Sequence, residues 1–220
     1  MFTGIVQALA RIDRVQDLPG LRKLRLAFPP GFCQDLAIGA SVATDGVCLT
    51  VTALHGQDQA EFDIMQQTLV VTTLGSYAVG AQVNVERAAK EGAEIGGHPL
   101  SGHVDFVAKI AQIQQTENNT VLRFSVPDHA MRYLFAKGYI AVNGASLTIA
   151  QIHRQECWFE VWLIPETLRQ TVFSAKKIGD AVNIEIERQT QVIVDTVNLI
   201  LDDKLEAMVA AVLQQKGVMS

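Results

Sequence analysis

Two side chains able to add to an electrophile stand at the same place in a repeated segment. Cys48 lies in Asp45-Gly46-Val47-Cys48-Leu49-Thr50-Val51, and Ser146 lies in Asn143-Gly144-Ala145-Ser146-Leu147-Thr148-Ile149. A thiol and a hydroxyl so placed can act as nucleophiles or pass a proton. Each also has an ordinary role, Cys48 as a small buried hydrophobe and Ser146 as a backbone hydrogen bonder beside a glycine turn. Thr50 and Thr148 offer a donor and an acceptor at matching positions. His103, in Ser101-Gly102-His103-Val104, titrates near neutral pH and is a candidate acid or base. Lys137 aligns with Gly39, so one copy alone offers that cation; without further context it reads as a solvated lysine. His98 and His103, with Asp105 nearby, suggest a metal, but no third ligand cluster accompanies them and that reading is rejected. His98 is read as ordering the connection between the copies. His55, His129 and His153 match nothing and are assigned to the surface. Gly92, Gly96 and Gly97 lack the spacing and the following lysine of a phosphate loop.

The elements that position these groups follow from the duplication. The two segments are offset by 98 residues, Gly46 to Gly144. The same register joins Thr3-Gly4 to Ser101-Gly102, and Leu24, Leu26 and Phe28 to Leu122, Phe124 and Val126. After a one-residue slip, Thr68-Leu69 meets Thr167-Leu168 and Glu86 meets Glu185. Repetition of that length makes the chain a tandem duplication. Asp-Gly or Asn-Gly followed by a β-branched run marks a tight hairpin entering a strand. Alternation in Phe2–Arg14 and Leu24–Phe28, strands within Ser41–Val51, and short runs at Phe62–Met65 and Val83–Val85 predict an all-β unit. Its turns recur every ten or so residues, which indicates a small antiparallel barrel. Phe32–Ala37 and Met131–Ala136 are predicted short helical pieces. The prediction is two tandem six-stranded antiparallel, Greek-key-like barrels, residues 1–97 and 98–188, followed by a helix in 189–220. Arg87–Pro99 reads as a linker with room for a helical turn. In the last segment Ile193, Val197, Leu201, Leu205, Met208 and Val212 form a stripe opposite Asp195, Asn198, Asp202 and Glu206, as in an amphipathic helix. It belongs to neither copy and is expected to oligomerise.

The 220 residues are 49% hydrophobic and 19% charged, an ordinary globular composition. A net charge of −5 without a basic cluster argues against nucleic acid. No apolar run approaches a membrane span, and Met1-Phe2-Thr3-Gly4 lacks the features of a signal peptide. Cys33, Cys48 and Cys157, odd in number and without CxxC spacing, argue against a disulfide framework or zinc. A reduced, cytoplasmic, soluble protein is expected.

Met1-Phe2-Thr3-Gly4-Ile5-Val6, Gly46-Val47-Cys48-Leu49-Thr50-Val51, Gly96-Gly97-His98 with Ser101-Gly102-His103-Val104, Gly144-Ala145-Ser146-Leu147-Thr148 and Leu163-Ile164-Pro165-Glu166-Thr167-Leu168 together resemble the riboflavin synthases that dismute lumazines. The resemblance covers residues 1 to 200. It implies that each barrel binds one 6,7-dimethyl-8-ribityllumazine and that a C-terminal helix joins three chains into a homotrimer. The site would form where the N-terminal barrel of one chain meets the C-terminal barrel of its neighbour. A four-carbon unit would pass between two stacked lumazines, giving riboflavin and 5-amino-6-ribitylamino-pyrimidinedione. No cofactor or metal is implied, because the substrate ring is its own electron sink. Lumazine synthase is a candidate protein partner.

Carried over by position, the N-terminal pocket would comprise Gly4, Ile5, Val6, Cys48, Leu49, Thr50, Asp63, Ile64, Met65, Gln66, Gln67 and Thr68. The C-terminal pocket would comprise Gly102, His103, Val104, Ser146, Leu147, Thr148, Trp162, Leu163, Ile164, Pro165, Glu166 and Thr167. Lys137 would reach a ligand across the subunit boundary, and Cys48, His103 and Ser146 would be catalytic. Gly4 and Gly102 are read as admitting a flat ligand close to the backbone. Two positions depart from the family: Asp45 and Asn143 exchange the usual order, and Pro99 replaces an aliphatic residue. The alternative is a non-catalytic lumazine- or flavin-binding antenna protein. Such relatives resemble the synthases in the opening segment but tend to lose the Gly-Gly-His stretch and the long helix, both present here.

Overall fold

The computed structural model describes residues 1–215, with the side chains of residues 203, 206, 207 and 209–215 excepted. Twelve strands close into two antiparallel barrels. β1 (Ala8–Leu18), β2 (Leu21–Ala27), β3 (Ser41–Thr44), β4 (Val47–His55), β5 (Gln59–Met65) and β6 (Gln82–Arg87) form the first, in the order β1-β2-β5-β4-β3-β6. β7 (Phe106–Gln115), β8 (Thr120–Ser125), β9 (Tyr139–Val142), β10 (Ala145–His153), β11 (Trp158–Leu163) and β12 (Ala181–Ile186) repeat that order in the second. A short helix follows the fifth strand of each, α1 (Gln66–Val71) and α2 (Pro165–Gln170), each continued by a 3₁₀ turn, Thr73–Ser76 or Val172–Ala175. The helix α3 (Arg188–Gln215) begins a second compact unit beyond Glu187.

Alternation explains both barrels. Leu24 and Leu26 are fully buried in the first core, and their partners Leu122 and Phe124 occupy the second. Each such side chain contributes about 1.5–3 kcal/mol by leaving water. In the second core Phe124 stacks on Phe159 at 5.0 Å. The hairpin turns have positive φ at both central residues, Asp45 (44°) and Gly46 (80°), then Asn143 (44°) and Gly144 (76°). Only glycine and short polar residues adopt this geometry cheaply. Register shifts at Ile12/Arg14 and Ile110/Gln112 bend the first strand of each copy at equivalent places, as closing a small barrel requires.

Several sequence expectations need correction. The first strand does not begin at Phe2. Residues 2–4 reach across to the second copy while staying tied to β6: Phe2 exchanges backbone hydrogen bonds with Leu100, at 2.8 and 3.0 Å, and Gln7 N–H returns to Val85 C=O at 2.9 Å. Residues 32–37 form successive turns rather than a helix, broken by Asp35 at φ 57°. The second helical piece is a 3₁₀ turn at Asp128–Tyr133, and no helical turn forms between Arg87 and Pro99. In α3 the stripe residues Ile193, Val197, Leu201, Leu205 and Met208 are all exposed. Val212, Glu206 and residues 216–220 of the predicted helical segment lie outside the described residues or side chains. No described helix is long and apolar enough to cross a membrane.

Candidate active site

Strand alternation presents the candidate nucleophiles. On β4, Val47, Leu49 and Val51 point into the first core, which turns Cys48 and Thr50 outward; on β10, Ala145, Leu147 and Ile149 do the same for Ser146 and Thr148. The segment preceding each barrel crosses to the other one. Ser146 N–H donates to Gly4 C=O at 2.8 Å, and Cys48 N–H donates to Gly102 C=O at 2.8 Å. Gly4 and Gly102 have φ near +77° (76° and 78°) and leave no room for a side chain. A Cβ at Gly4 would lie 2.5 Å from Ser146 Cβ, and one at Gly102 would lie 2.7 Å from Cys48 Cβ. These glycines therefore admit the opposite barrel's strand at close range.

The crossing corrects the grouping of site residues. Gly4, Ile5 and Val6 line one cavity with Ser146, Leu147, Glu166 and Thr167, about 380 Å³ in volume. Gly102, His103 and Val104 line another with Cys48, Gln67 and Thr68, about 210 Å³. Each leading segment thus belongs with the other barrel's strand, opposite to the assignment by chain order. A larger cleft of about 700 Å³ beside Gln34, Arg87 and Lys90 lies outside this pair, and the groups arranged for chemistry are at the smaller cavities.

Ser146, on the wall of its cavity, is paired with a group that the sequence assigns to the connection between the barrels. His98 is buried, and its Nδ1 lies 2.6 Å from Ser146 Oγ. Its ring stacks on Tyr139, with centroids 5.1 Å apart. Burial lowers the imidazole's pKa, while Glu187 pulls it upward. The ring is therefore neutral near pH 7. The tautomer sets the direction of the bond: with the lone pair on Nδ1 the ring accepts from the Ser146 hydroxyl, and with the proton there it donates to Ser146 Oγ. This is the geometry of a nucleophile and its base. The one signal for His98 in the sequence was its pair of glycines. A Cβ at Gly97 would meet Thr3 C=O at 2.5 Å and Ser146 Cβ at 2.6 Å, so the chain must approach closely just before His98.

The two cavities are differently equipped. Glu166 is hydrogen-bonded by Arg169, whose guanidinium holds the carboxyl below its usual range. Gln67 stands at the corresponding place by the Cys48 cavity, and His103 there is exposed. Other predicted residues fall outside the two linings. Leu49, Ile64 and Leu163 are core side chains, leaving only their backbone for any ligand. Asp63 is engaged by Lys23 Nζ at 3.0 Å. Thr50, Met65, Gln66, Thr148, Trp162, Ile164 and Pro165 are exposed and line neither cavity. Lys137 also lies outside both linings. Its backbone is left-handed (φ 68°), as is that of its counterpart Gly39 (φ 89°).

Comparison with known proteins gives the family and agrees with the fold. The profile of the Lumazine binding domain matches residues 3–88 and 101–187. The riboflavin synthase of Escherichia coli (strain K12) is 46% identical over 209 residues, covering 94% of this chain and 97% of that protein. That of Chlamydia pneumoniae is 43% identical, covering 91% of this chain and 97% of that protein. Among solved structures, LumP complexed with riboflavin superposes with a TM-score of 0.79 at 25% identity, over 85% of this chain and 100% of LumP. LumP complexed with 6,7-dimethyl-8-(1'-D-ribityl) lumazine shares the fold, with a TM-score of 0.76 at 24% identity, over 85% of this chain and 99% of LumP. With two lumazine binding domains and relatives of this similarity along nearly its whole length, the chain belongs to the riboflavin synthase family.

Proposed function

We propose that this chain converts two molecules of 6,7-dimethyl-8-ribityllumazine into riboflavin and 5-amino-6-ribitylamino-pyrimidinedione. The observation that carries the reading is the Ser146–His98 pair, at 2.6 Å, with Ser146 on the wall of a cavity. The dismutation needs a proton removed from the acidic 7-methyl group of one lumazine and a nucleophile to activate the other. Neutral His98 drawing on the Ser146 hydroxyl answers one need, and the Cys48 thiol with His103 answers the other. The two products together contain the atoms of the two substrates, so no oxidant or reductant is required. Within the proposal, Thr50, Thr148 and the other exposed predicted residues contact the ligands, and Lys137 steers one from the facing subunit.

The reactants must meet face to face, so the Ser146 cavity of one subunit is taken to oppose the Cys48 cavity of another. A homotrimer joined through α3 meets this need. That helix exposes Ile193, Val197, Leu201, Leu205 and Met208, which water disfavours as a continuous face. The protein is proposed to work in the cytoplasm, where lumazine synthase is its candidate partner. The second reading, a non-catalytic binder, is favoured by the likeness to LumP in its riboflavin complex. Incubating the purified chain with the lumazine separates the two. Riboflavin formed in the ratio of one per two lumazines consumed supports the enzyme; tight binding without riboflavin supports the binder.

A further inference from the structure

Four buried polar side chains outside the catalytic groups hold the walls of the two cavities. Asn84 and Glu86 lie two residues apart on β6, the closing strand of the first barrel, and both are almost fully buried. Glu86 Oε1 accepts hydrogen bonds from Thr3 N–H at 2.6 Å and Thr3 Oγ1 at 2.7 Å, and Oε2 accepts from Gly4 N–H at 3.0 Å. Asn84 Oδ1 accepts from Val172 N–H at 2.9 Å, next to Thr171 on the opposite wall. Both walls of the Ser146 cavity are therefore fastened to the first barrel, although Ser146 belongs to the second. The arrangement is reciprocal. On β12, Glu185 accepts from Ser101 N–H and Oγ, both at 2.7 Å, and from Gly102 N–H at 3.0 Å. Asn183 Oδ1 accepts from Thr73 N–H at 2.8 Å, beside Thr72 of the Cys48 cavity.

We infer that the Asn-x-Glu pair on each closing strand is the positioning device for the ligand pocket of the other barrel. Asn84 and Glu86 set the Ser146 pocket, and Asn183 and Glu185 set the Cys48 pocket. None of the four touches the reacting atoms. Each fixes main-chain groups whose placement decides where a flat heterocycle can lie, and an error of an ångström there is costly for binding. The fastenings are strong because a buried carboxylate accepting several N–H and O–H groups cannot release them without leaving unsatisfied donors. The inference rests on the ligand reading of the two cavities.

The test uses the full chain and a pocket-specific reporter. Cys48 lines one cavity, so bound 6,7-dimethyl-8-ribityllumazine should protect it from iodoacetamide, read by mass spectrometry of its own peptide. Quenching of lumazine fluorescence counts all sites together. Glu185→Gln should raise the lumazine concentration for half-protection of Cys48 at least tenfold, with the second class of sites within threefold of the parent. Glu86→Gln should do the reverse, leaving Cys48 protection within threefold and weakening the other class. Ser101→Ala and Thr3→Val, which remove the hydroxyl donor to each carboxylate and with it the acceptor of His103 or Ile5 N–H, should show the same division more weakly should either Gln variant fold poorly. Equal loss at both sites, or a shift of Cys48 protection by Glu86→Gln, overturns the inference. Absence of protection in the unaltered chain overturns the ligand reading itself, and the inference with it.

Discussion

Replacing Asp45 by Asn should make the protein more stable as pH rises above about 4. The Asp45 carboxyl is fully buried at the hairpin turn. Burial raises its pKa from 3.8 to about 6, against the lowering effect of hydrogen bonds from Tyr77 Oη (2.5 Å) and Asn84 N–H (2.8 Å) and of the charge of Lys176. Facing it, Tyr77 is itself shifted upward by burial and by Asp45, with a further contribution from Asp180. Because the folded-state value is the higher one, the folded chain binds this proton more tightly than the unfolded chain. Stability from this group is full below pH 4 and is lost as pH rises through 6. A shift of about 2 units at about 1.4 kcal/mol each corresponds to roughly 3 kcal/mol at pH 8. The second barrel shows that Asn keeps the backbone bond: Asn143 Oδ1 accepts Asn183 N–H at 2.7 Å as Asp45 Oδ1 accepts Asn84 N–H, although Asn143 Nδ2, with no tyrosine facing it, is buried without a partner. In Asp45→Asn the amide can donate to Tyr77 Oη, keeping that contact without a buried charge. For a chain of this size, about 2–4 °C per kcal/mol makes the Tm advantage of the variant grow by roughly 6–12 °C between pH 4 and pH 8. Thermal unfolding of both proteins across that range measures it. A difference that stays flat, or shrinks with rising pH, refutes the reasoning.

Ser146→Ala, His98→Gln and His103→Gln should each slow turnover by roughly 10²- to 10⁴-fold, while lumazine affinity changes less than about tenfold, as paired kinetic and binding titrations will show. Lys137→Gly relieves a left-handed backbone that its counterpart Gly39 bears without strain; it should raise stability by about 1 kcal/mol in denaturant unfolding yet slow riboflavin formation. Ending the chain after Gln189 should leave folded barrels at monomer mass, and a truncated protein that still sediments as a trimer counts against the role given to α3. Asn143→Asp, which restores the commoner family residue there, should keep the rate within a few fold or raise it.

The duplication, both barrels and the hairpin turns were legible because they repeat and because alternation with period two survives in β2, β4, β5 and β10. The crossing of residues 2–4 was not. Phe2 to Val6 alternates as well as any strand, and nothing local shows that its hydrogen-bond partners are Leu100 and Ser146 rather than its own barrel. That oversight exchanged Gly4–Val6 with Gly102–Val104 between the two pockets. His98 escaped for a related reason: it lies in the irregular stretch between the copies, where no periodicity announces a buried face. The helices α1 and α2, six residues each, are too short to carry a helical period. The core leucines and phenylalanines, by contrast, needed no tertiary information to be placed.

The glycine turns of the two copies meet back to back, a Cβ at Gly46 falling 2.7 Å from Gly144 N. Around that point the two halves exchange matching contacts, Asn84 Nδ2 donating to Asn143 C=O and Asn183 Nδ2 to Asp45 C=O, both at 2.9 Å. Two separate copies of a single barrel would satisfy the same contacts, as a symmetric pair. In such a pair any change at one pocket is a change at both. A reaction between two identical molecules, however, needs one of them treated as donor and the other as acceptor. Joining the copies in one polypeptide lets Cys48 diverge from Ser146, Gln67 from Glu166 and Gly39 from Lys137 while the backbone stays paired. The covalent link is thus what allows symmetry in the scaffold to coexist with inequality in the chemistry.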